Sequence, residues 1–429
     1  MLNVNQTKNK FAGIIKVIGV GGGGSNAVDS MYKRGIKDVT FANCNTDVQI
    51  LNLSKVPTRL ALGKAGLGAG NDPKVGAEQA KESIEDIKQL FDDGTNMVFI
   101  TAGMGGGTGT GASPIIAQVA KDLGILTVGI VTIPFLFEKR KKIIQAFNGI
   151  TELSKHVDAL LVINNQKITE LFPGTEKTTL TEGFERVNDI LFNATKSIAE
   201  IITIAGKVNL DFKDVTKVLK DGGLAIMSSG VTKETDNRIL KAINNALCSP
   251  LLHNNKISQA RKLLFNITTG NDNQLTIPEI DELTDYCVNL NPDLELIWGT
   301  TIDESKENEF QITLLATGFN TDNIPFVHDY KEELEEENEQ LIAEQEDQIQ
   351  KVYQNNPNNN TKINSLIYVY NIDELDNDIQ IAKVDASPTY KRKQLEILEL
   401  NQNRKKKLKI QKKPKENTDS MLDNGEILF

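Results

Sequence analysis

Two glycine-rich turns, each set between an apolar strand and a helix, restrict what this chain can fold into more than any other feature. The first lies in VIGVGGGGSNA, residues 17–27, and the second in AGMGGGTGTGASP, residues 102–114. Glycine admits positive φ and lets the backbone approach a ligand closely. A helix that follows such a turn aims unpaired N–H groups and the positive end of its dipole back at it, which makes an anion site. Gly19, Gly21 and Gly24 satisfy the G-x-G-x-x-G of dinucleotide folds, with Asp47 somewhat beyond the usual ~20-residue offset of a ribose-binding acid. A dinucleotide fold needs one phosphate turn. Two on adjacent strands suggest one longer phosphate chain gripped from two sides, with Thr108 and Thr110 adding hydroxyl donors. No G-x-x-x-x-G-K-[ST] run occurs, so the phosphates are expected to be held mostly by backbone dipoles. The plainer alternatives are a ligand-free tight turn for the first motif and a flexible linker for the second. Linkers do not sit between a buried strand and a helix.

The periodicity around these turns is that of an α/β unit. Residues 16–20, 38–43, 97–102, 126–133 and 159–163 read as strands, with helices at 26–34, 75–91 and about 113–123. Such alternation predicts a parallel sheet covered on both faces, with its ligand at the carboxyl ends of the strands. Phe184, Val187, Leu191, Ala194, Ile198, Ile201 and Ala205 recur at spacings of three and four, which predicts a long amphipathic helix over 181–205. A shorter helix over 211–220 stops at Gly222 and Gly223. Strands at 224–229, 262–269, 294–300 and 310–317, with helices at 233–246 and 277–289, then suggest an α+β unit. Beyond about residue 320 the chain turns acidic (YKEELEEENEQLIAEQEDQIQ), then polar (QNNPNNN), then basic (NRKKKLKIQKKPK). That is the composition of a largely disordered tail. The expected division is an extension at 1–15, an α/β domain at 16–180, a central helix and loop at 181–223, an α+β domain at 224–319 and the tail at 320–429.

Composition narrows the function classes. The 429 residues carry a net charge of −10, which argues against a nucleic-acid binder. Cys44, Cys248 and Cys287 lie far apart, in neither a metal nor a disulfide pattern, and His156, His253 and His328 are isolated. No run approaches the ~20 apolar residues of a membrane span, and the opening MLNVNQTKNKFAG lacks the apolar stretch of a signal peptide. A cytoplasmic protein without a metal site is expected.

From about residue 16 to 318 the chain resembles, in order and spacing, the FtsZ family of bacterial tubulin-like division GTPases. The likeness rests on the first glycine turn and on GGGTGTG at 105–111, unchanged from the tubulin signature loop. NTD at 45–47, GLGAGNDP at 66–73, KDLGILTVGIVTIPF at 121–135 and GITELSKHVD at 149–158 extend it. The resemblance implies a tubulin-like fold, in which a parallel-sheet GTP-binding domain is joined by a long central helix to a smaller α+β domain. It also implies hydrolysis of GTP to GDP and phosphate, and head-to-tail polymerisation into filaments of a division ring at the inner face of the cell membrane. The implied partners are further copies of the chain, and anchoring and regulatory proteins that reach the tail. The ending SMLDNGEILF departs from the docking peptide expected of the family.

Carried over by position, Gly22, Gly23, Gly24, Ser25 and Asn26 meet the phosphates on one side. Gly105, Gly106, Gly107, Thr108 and Gly109 meet them on the other. Glu138 bonds the ribose, Asn165 and Asp189 read guanine, and Phe184 stacks on the base. A carboxylate suits guanine because it accepts from both the N1 and N2 donors. Mg²⁺ is expected to be held through phosphates and water. The plainer readings are a solvated helix position for Asp189 and core packing for Phe184, which lies on the apolar stripe. The family usually has Glu-Gly-Lys-Lys-Arg where this chain reads Glu138-Lys139-Arg140-Lys141-Lys142. Lys142 therefore stands where the phosphate-contacting arginine is expected, and keeps the charge without the planar fork. Arg140 is the alternative if the loop shifts.

The third motif is NLDFKDV, residues 209–215. Taken alone, Asp211 and Asp214 are an N-cap and a first-turn acid. The central helix separates Asp189 from Asn209 by roughly 30 Å at ~1.5 Å per residue. If Asp189 touches the base, Asp211 cannot reach the same molecule's phosphates. The resemblance implies that Asn209, Asp211 and Asp214 enter the neighbour's site and help polarise water, so that hydrolysis needs head-to-tail contact. The rival readings are a dinucleotide-dependent oxidoreductase, which leaves 105–111 and 209–214 unexplained, and a non-hydrolysing tubulin-like scaffold, against which Asp211 and Asp214 argue.

Overall fold

The computed structural model describes residues 14–170, 179–204, 207–208, 210–247, 257–303, 306 and 309–319. Ala205, Asn209, Cys248, residues 1–13 of the expected extension and the tail from 320 lie outside them. The first half alternates strands and helices: β1 (Ile15–Val20), α1 (Gly21–Arg34), β2 (Val39–Asn45), α2 (Val48–Leu53), β3 (Thr58–Ala61), α3 (Pro73–Glu82) and α4 (Ile84–Gln89). It continues through β4 (Met97–Gly103), α5 (Gly107–Asp122), β5 (Leu126–Ile133), α6 (Arg140–Ser154), β6 (Ala159–Asn164) and α7 (Asn165–Glu170). The central helix α8 (Leu180–Thr203) and α9 (Phe212–Leu219) follow. The remainder is β7 (Gly223–Thr232), α10 (Arg238–Leu247), β8 (Lys262–Thr269), α11 (Ile277–Leu290), β9 (Glu295–Ile302) and β10 (Phe310–Phe319).

All ten strands lie in one sheet, in the order β3-β2-β1-β4-β5-β6-β7-β10-β8-β9. Neighbours from β3 to β7 are parallel, β10 is antiparallel to both β7 and β8, and β9 is parallel to β8. A short pairing, Ala159 with Gly223 through Leu161 with Ala225, joins the two strand sets. The first six strands have the doubly wound order, whose direction reverses between β1 and β4. Val20 and Ala102, next to the glycine turns, are register partners on those two strands. Both turns therefore leave the sheet side by side, at the crevice where open α/β sheets bind ligands.

Burial explains the layers. One apolar cluster joins Ile100, Val131 and Leu160 of the sheet to Ile116 of α5 and Ile150 of α6. The other joins Val17, Phe99 and Ile130 to Val28 of α1 and to Val187, Leu191, Ile198 and Ile201 of α8. The stripe expected of the central helix is thus its sheet-facing side. Thr179 and Glu182 close a reciprocal cap at its start.

Some boundaries differ from the sequence reading. The helix expected over 75–91 is two, broken at buried Ser83, whose hydroxyl accepts the Gly63 N–H at 2.9 Å. The central helix ends at Thr203, and Ile204 is already extended at φ −100°, ψ 117°. More importantly, several glycines read as turns are themselves helical, since α1 starts at Gly21 and α5 at Gly107, while Gly105 and Gly106 remain in the turn.

One buried ion pair ties the second strand set together. Arg238 lies in bidentate contact with Glu279 and also bonds Asn273 and the Gln274 carbonyl. Desolvation pushes the Glu279 carboxyl up, but the bonds from Arg238 and Thr276 outweigh it and hold it below the ordinary carboxylate value. A lowered folded-state value stabilises the fold at neutral pH, and that contribution is lost as pH falls through it. Glu279→Gln is therefore expected to cost about 2 kcal/mol at pH 7, less than a fully buried pair because Glu279 keeps some solvent access. Thermal melts of variant and wild type should converge as pH is lowered below the carboxylate range. A gap that stays constant with pH contradicts this account.

Candidate nucleotide-binding site

Most helices of this fold that start beside a polar residue cap themselves. Asp47 caps α2, Asp72 caps α3, Thr179 caps α8 and Asp211 caps α9. At the switch point the helices do not. Val20 precedes α1 and Gly106 precedes α5, and neither offers a side-chain cap. The first-turn N–H groups of both helices are left for a ligand, and an anion is what they attract.

The packing of the turns fits such a cradle. Gly21 has φ +70°, and a Cβ there would stand 2.7 Å from the Gly109 nitrogen. A Cβ on Gly24 would stand 2.2 Å from the Thr101 carbonyl oxygen, so only glycine lets α1 lie this close to β4. In contrast, a Cβ on Gly22 or Gly106 would meet nothing within 4 Å, which marks where the two backbones face open space. Gly23 and Asn26 are exposed beside Gly22. Ser25 is buried, and among the described residues its Oγ has no hydrogen-bond partner.

The threonines differ from expectation. Thr110 is buried and its hydroxyl accepts the Gly105 N–H at 2.9 Å, closing the turn from inside. Thr108 shares a 2.6 Å hydroxyl contact with Thr46. Gln145 of α6 donates to the Asn71 carbonyl at 3.0 Å and reaches the Gly106 carbonyl at 3.5 Å, bracing the second turn. Sequence reasoning missed α6, whose uncapped first turn packs on Gly105: a Cβ there would be 2.8 Å from the Lys142 carbonyl.

Glu138 and Lys142 come together. Glu138 accepts from the Phe135 N–H at 3.1 Å and from Lys142 Nζ at 3.2 Å. Between them, Lys139 has φ 73° and ψ 156°, a region that essentially only glycine occupies, and it stands where the family usually has glycine. Lys139→Gly is expected to raise stability by about 1 kcal/mol, the relieved strain less the added chain entropy. Thermal melts of the nucleotide-free proteins check this, and an unchanged or lower midpoint contradicts it.

Around the expected base position, Asn165 starts α7 with its Oδ1 buried and, among the described residues, unpartnered. Phe184 is 40% exposed, and its ring meets Phe135 edge-on at 5.3 Å. It is therefore at the edge of the core, with a face left open. Phe137, absent from the sequence reading, stacks on Phe135 at 5.1 Å and is exposed. Asp189 is exposed and takes a 2.6 Å bond from Arg34.

Asp211 and Asp214 cap α9 reciprocally. Asp211 Oδ1 accepts from Lys213 N at 2.7 Å and Asp214 N at 3.0 Å, while Asp214 Oδ2 accepts from Asp211 N at 2.9 Å. The plain reading of this pair is thus realised. Among the described residues, the second oxygen of each carboxylate takes no hydrogen bond. The pair sits beyond the far end of α8, which has 24 residues and so spans roughly 36 Å.

Among the described residues no group of three or more His, Cys, Asp or Glu converges as a metal site, and no helix is long and apolar enough to cross a membrane.

The family model described as Tubulin/FtsZ family, GTPase domain, matches residues 14–173. That of the FtsZ family, C-terminal domain, matches 223–320, and a further FtsZ C-terminal model matches 362–407. The cell division protein FtsZ of Porphyromonas gingivalis (strain ATCC BAA-308 / W83) is 44% identical over 412 residues, which span 91% of this chain and 88% of that protein. The FtsZ of Wigglesworthia glossinidia brevipalpis is 44% identical over 316 residues, 73% and 81% of the two chains. Among solved structures, an empty FtsZ dimer from M. jannaschii superposes with a TM-score of 0.64 at 39% identity, covering 71% of this chain and 88% of its own. A GTPgS-bound protofilament of CetZ2 from Haloferax volcanii matches at 0.64 with 17% identity, covering 76% and 99%, and shares the fold. With two glycine cradles at one switch point, and relatives alike along nearly the whole chain, this protein belongs to the FtsZ branch of the tubulin/FtsZ family.

Proposed function

We propose how this GTP-dependent, self-polymerising cell-division GTPase divides its chemistry between two molecules. The observation that carries the proposal is the pair of uncapped helix starts, α1 and α5, lying side by side on β1 and β4. GTP lies across them, its phosphates on the N–H groups of Gly22 to Asn26 and of Gly105 to Gly109. Lys142, paired to Glu138 on the free molecule, turns to the phosphates while Glu138 takes the ribose. Asn165 and Asp189 read guanine, and Phe184 offers its open face to the base. The site accepts Mg²⁺ only through phosphates and water, where the ion neutralises charge on the phosphate chain. A dinucleotide-dependent oxidoreductase is not supported: it has no use for the second cradle, and the family is that of a GTPase domain.

The loop carrying Asn209, Asp211 and Asp214 is placed on the neighbouring subunit's γ-phosphate. Water attacks the γ-phosphorus, the bond to the β,γ-bridging oxygen breaks, and GDP and phosphate result. Asp211 and Asp214 orient that water with the oxygens their cap leaves over. A head-to-tail contact that brings the far end of one molecule to the near end of the next yields open filaments when the rotation between copies does not close into a ring. The functional division along the chain is proposed as 16–180 for nucleotide binding, 181–223 for transmission and catalysis, 224–319 for the far interface and 320–429 for partners. The match at 362–407 supports a family role for that tail. Anchoring and regulatory proteins are proposed to hold it at the cytoplasmic face of the membrane, at the division site.

Base reading has a direct test. Asp189→Ala is expected to weaken GTP binding about tenfold or more, by removing charge-assisted acceptors for guanine N1–H and N2–H, and to leave ATP no better bound. Equilibrium binding of fluorescent GTP and ATP analogues measures it. Wild-type protein that binds ATP as well as GTP sinks the guanine assignment.

A further inference from the structure

The loop that the proposed mechanism sends into the next molecule carries a cation beside its two acids. Lys213 is the second residue of α9, between Asp211 and Asp214. Asp211 Oδ1 holds its backbone N–H at 2.7 Å. Val215, Val218 and Leu219 form the buried face of α9. At ~3.6 residues per turn, Lys213, Lys217 and Lys220 fall together on the opposite face, and all three are exposed. Lys217 is tied down there: its ammonium pairs with Glu295, and its carbonyl accepts from Lys262 Nζ at 2.6 Å. The Lys213 ammonium, closest of the three in sequence to the acids, makes no ion pair and no hydrogen bond among the described residues. Helix α9 itself gains nothing from it, because the first turn of a helix favours anions and disfavours a cation.

Charge on the two sides of the proposed interface gives this lysine a task. The phosphate turns offer backbone N–H groups, which carry only partial positive charge. Lys142, the cation assigned to the phosphates, stands 3.2 Å from Glu138, which offsets it. Asp211 and Asp214 then bring two carboxylates toward a triphosphate that is already strongly anionic, and like charges at close range repel. A cation carried on the same loop offsets that repulsion. We propose that Lys213 is this cation, a catalytic residue supplied in trans: its ammonium meets the γ-phosphate oxygens of the neighbouring subunit's GTP and stabilises the charge there as the bond to the β,γ-bridging oxygen breaks. Its part is electrostatic. It gives up no proton and forms no bond, and water remains the nucleophile. The proposal rests on the shared site described above.

The test uses the full-length protein, with phosphate release at saturating GTP measured per assembled subunit and assembly followed by sedimentation. Lys213→Ala is expected to lower turnover about 10–10²-fold, less than the loss of an oxyanion donor from an enclosed site. GTP binding to the unassembled protein should stay within about twofold of wild type, because the lysine serves the neighbour's nucleotide. The melting midpoint should not fall, since alanine suits an exposed helix position better than lysine does in the first turn. Lys213→Arg, which restores the charge, should recover most of the turnover. Lys220→Ala removes the same charge from the same face, roughly 10 Å along the helix at ~1.5 Å per residue, and should leave turnover within about twofold. Lys213→Ala mixed with Gly106→Asp, whose own aspartate would occupy the phosphate N–H groups, should regain phosphate release, because the second variant supplies an intact lysine. Wild-type turnover in assembled Lys213→Ala, an equal loss in Lys220→Ala, or no recovery in Lys213→Arg overturns the role of the lysine and leaves the shared site standing. Mixed filaments of Asp211→Asn and Gly106→Asp that release no phosphate overturn the shared site, and the role of Lys213 with it.

Discussion

Asp211→Ala is expected to keep GTP binding and to lose turnover by about 10²–10⁴-fold, the range for removing a group that accepts or orients a proton. Binding is expected to survive because Asp211 lies beyond the C-terminal end of α8, far from the proposed base site at its start. The capping box adds a complication visible only in the structure. Asp211 Oδ1 holds the first N–H groups of α9, so alanine removes a cap as well as a carboxylate. Losing an N-cap costs about 0.5–2 kcal/mol. Asparagine caps as well as aspartate does, so Asp211→Asn isolates the chemistry. Phosphate release should fall in both variants, while the melting temperature falls only in Asp211→Ala. Full turnover in assembled Asp211→Asn would show that the second carboxylate oxygen plays no part.

Gly106→Asp should have the opposite character: no binding, intact fold. Gly106 precedes α5 at φ −95°, ψ 180°, a conformation open to any residue, and a Cβ there meets nothing within 4 Å. An aspartate in that place caps α5 with its own carboxylate, and aspartate is among the best N-caps. It then occupies the N–H groups that the phosphates need and sets a negative charge among them. GTP binding should weaken about 10²-fold or more, since each hydrogen bond to a charged group is worth about 1.5–3 kcal/mol. The nucleotide-free protein should melt at the wild-type temperature or slightly above. Binding within a factor of two of wild type contradicts the assignment of phosphates to α5.

Much of this was legible because local pattern and tertiary role agree. The stripe from Val187 to Ile201 is both a helical repeat and the surface α8 lays on the sheet. The strands at 126–133 and 262–269 are bounded by the same residues in sequence and structure, because both are rich in apolar and β-branched residues and buried along nearly their whole length. Helix α6 was hidden by its start: Arg140, Lys141 and Lys142 read as a charged surface, although Ile143, Ala146, Phe147, Ile150 and Leu153 form a buried face. The pairing of β6 with β7 spans three residue pairs and leaves no mark on the pattern of either strand. At the site, residue types could be placed by resemblance, but their partners could not. Neither the Arg34 clamp on Asp189 nor the hydroxyl of Thr110 turned inward follows from spacing, since both depend on contacts between distant segments.

The central claim is that one molecule binds GTP and the next completes the site. Mixing Asp211→Asn, which keeps an intact pocket, with Gly106→Asp, which keeps an intact Asp211 loop, tests it most directly. Each alone should release almost no phosphate. In mixed filaments, with co-assembly shown by two-colour labelling, an interface that pairs the good pocket of one with the good loop of the other should hydrolyse GTP. Phosphate release should then return to a sizeable fraction of the wild-type rate, and scale with the share of such interfaces as the mixing ratio is varied. Mixed filaments that form and still release no phosphate contradict the shared site.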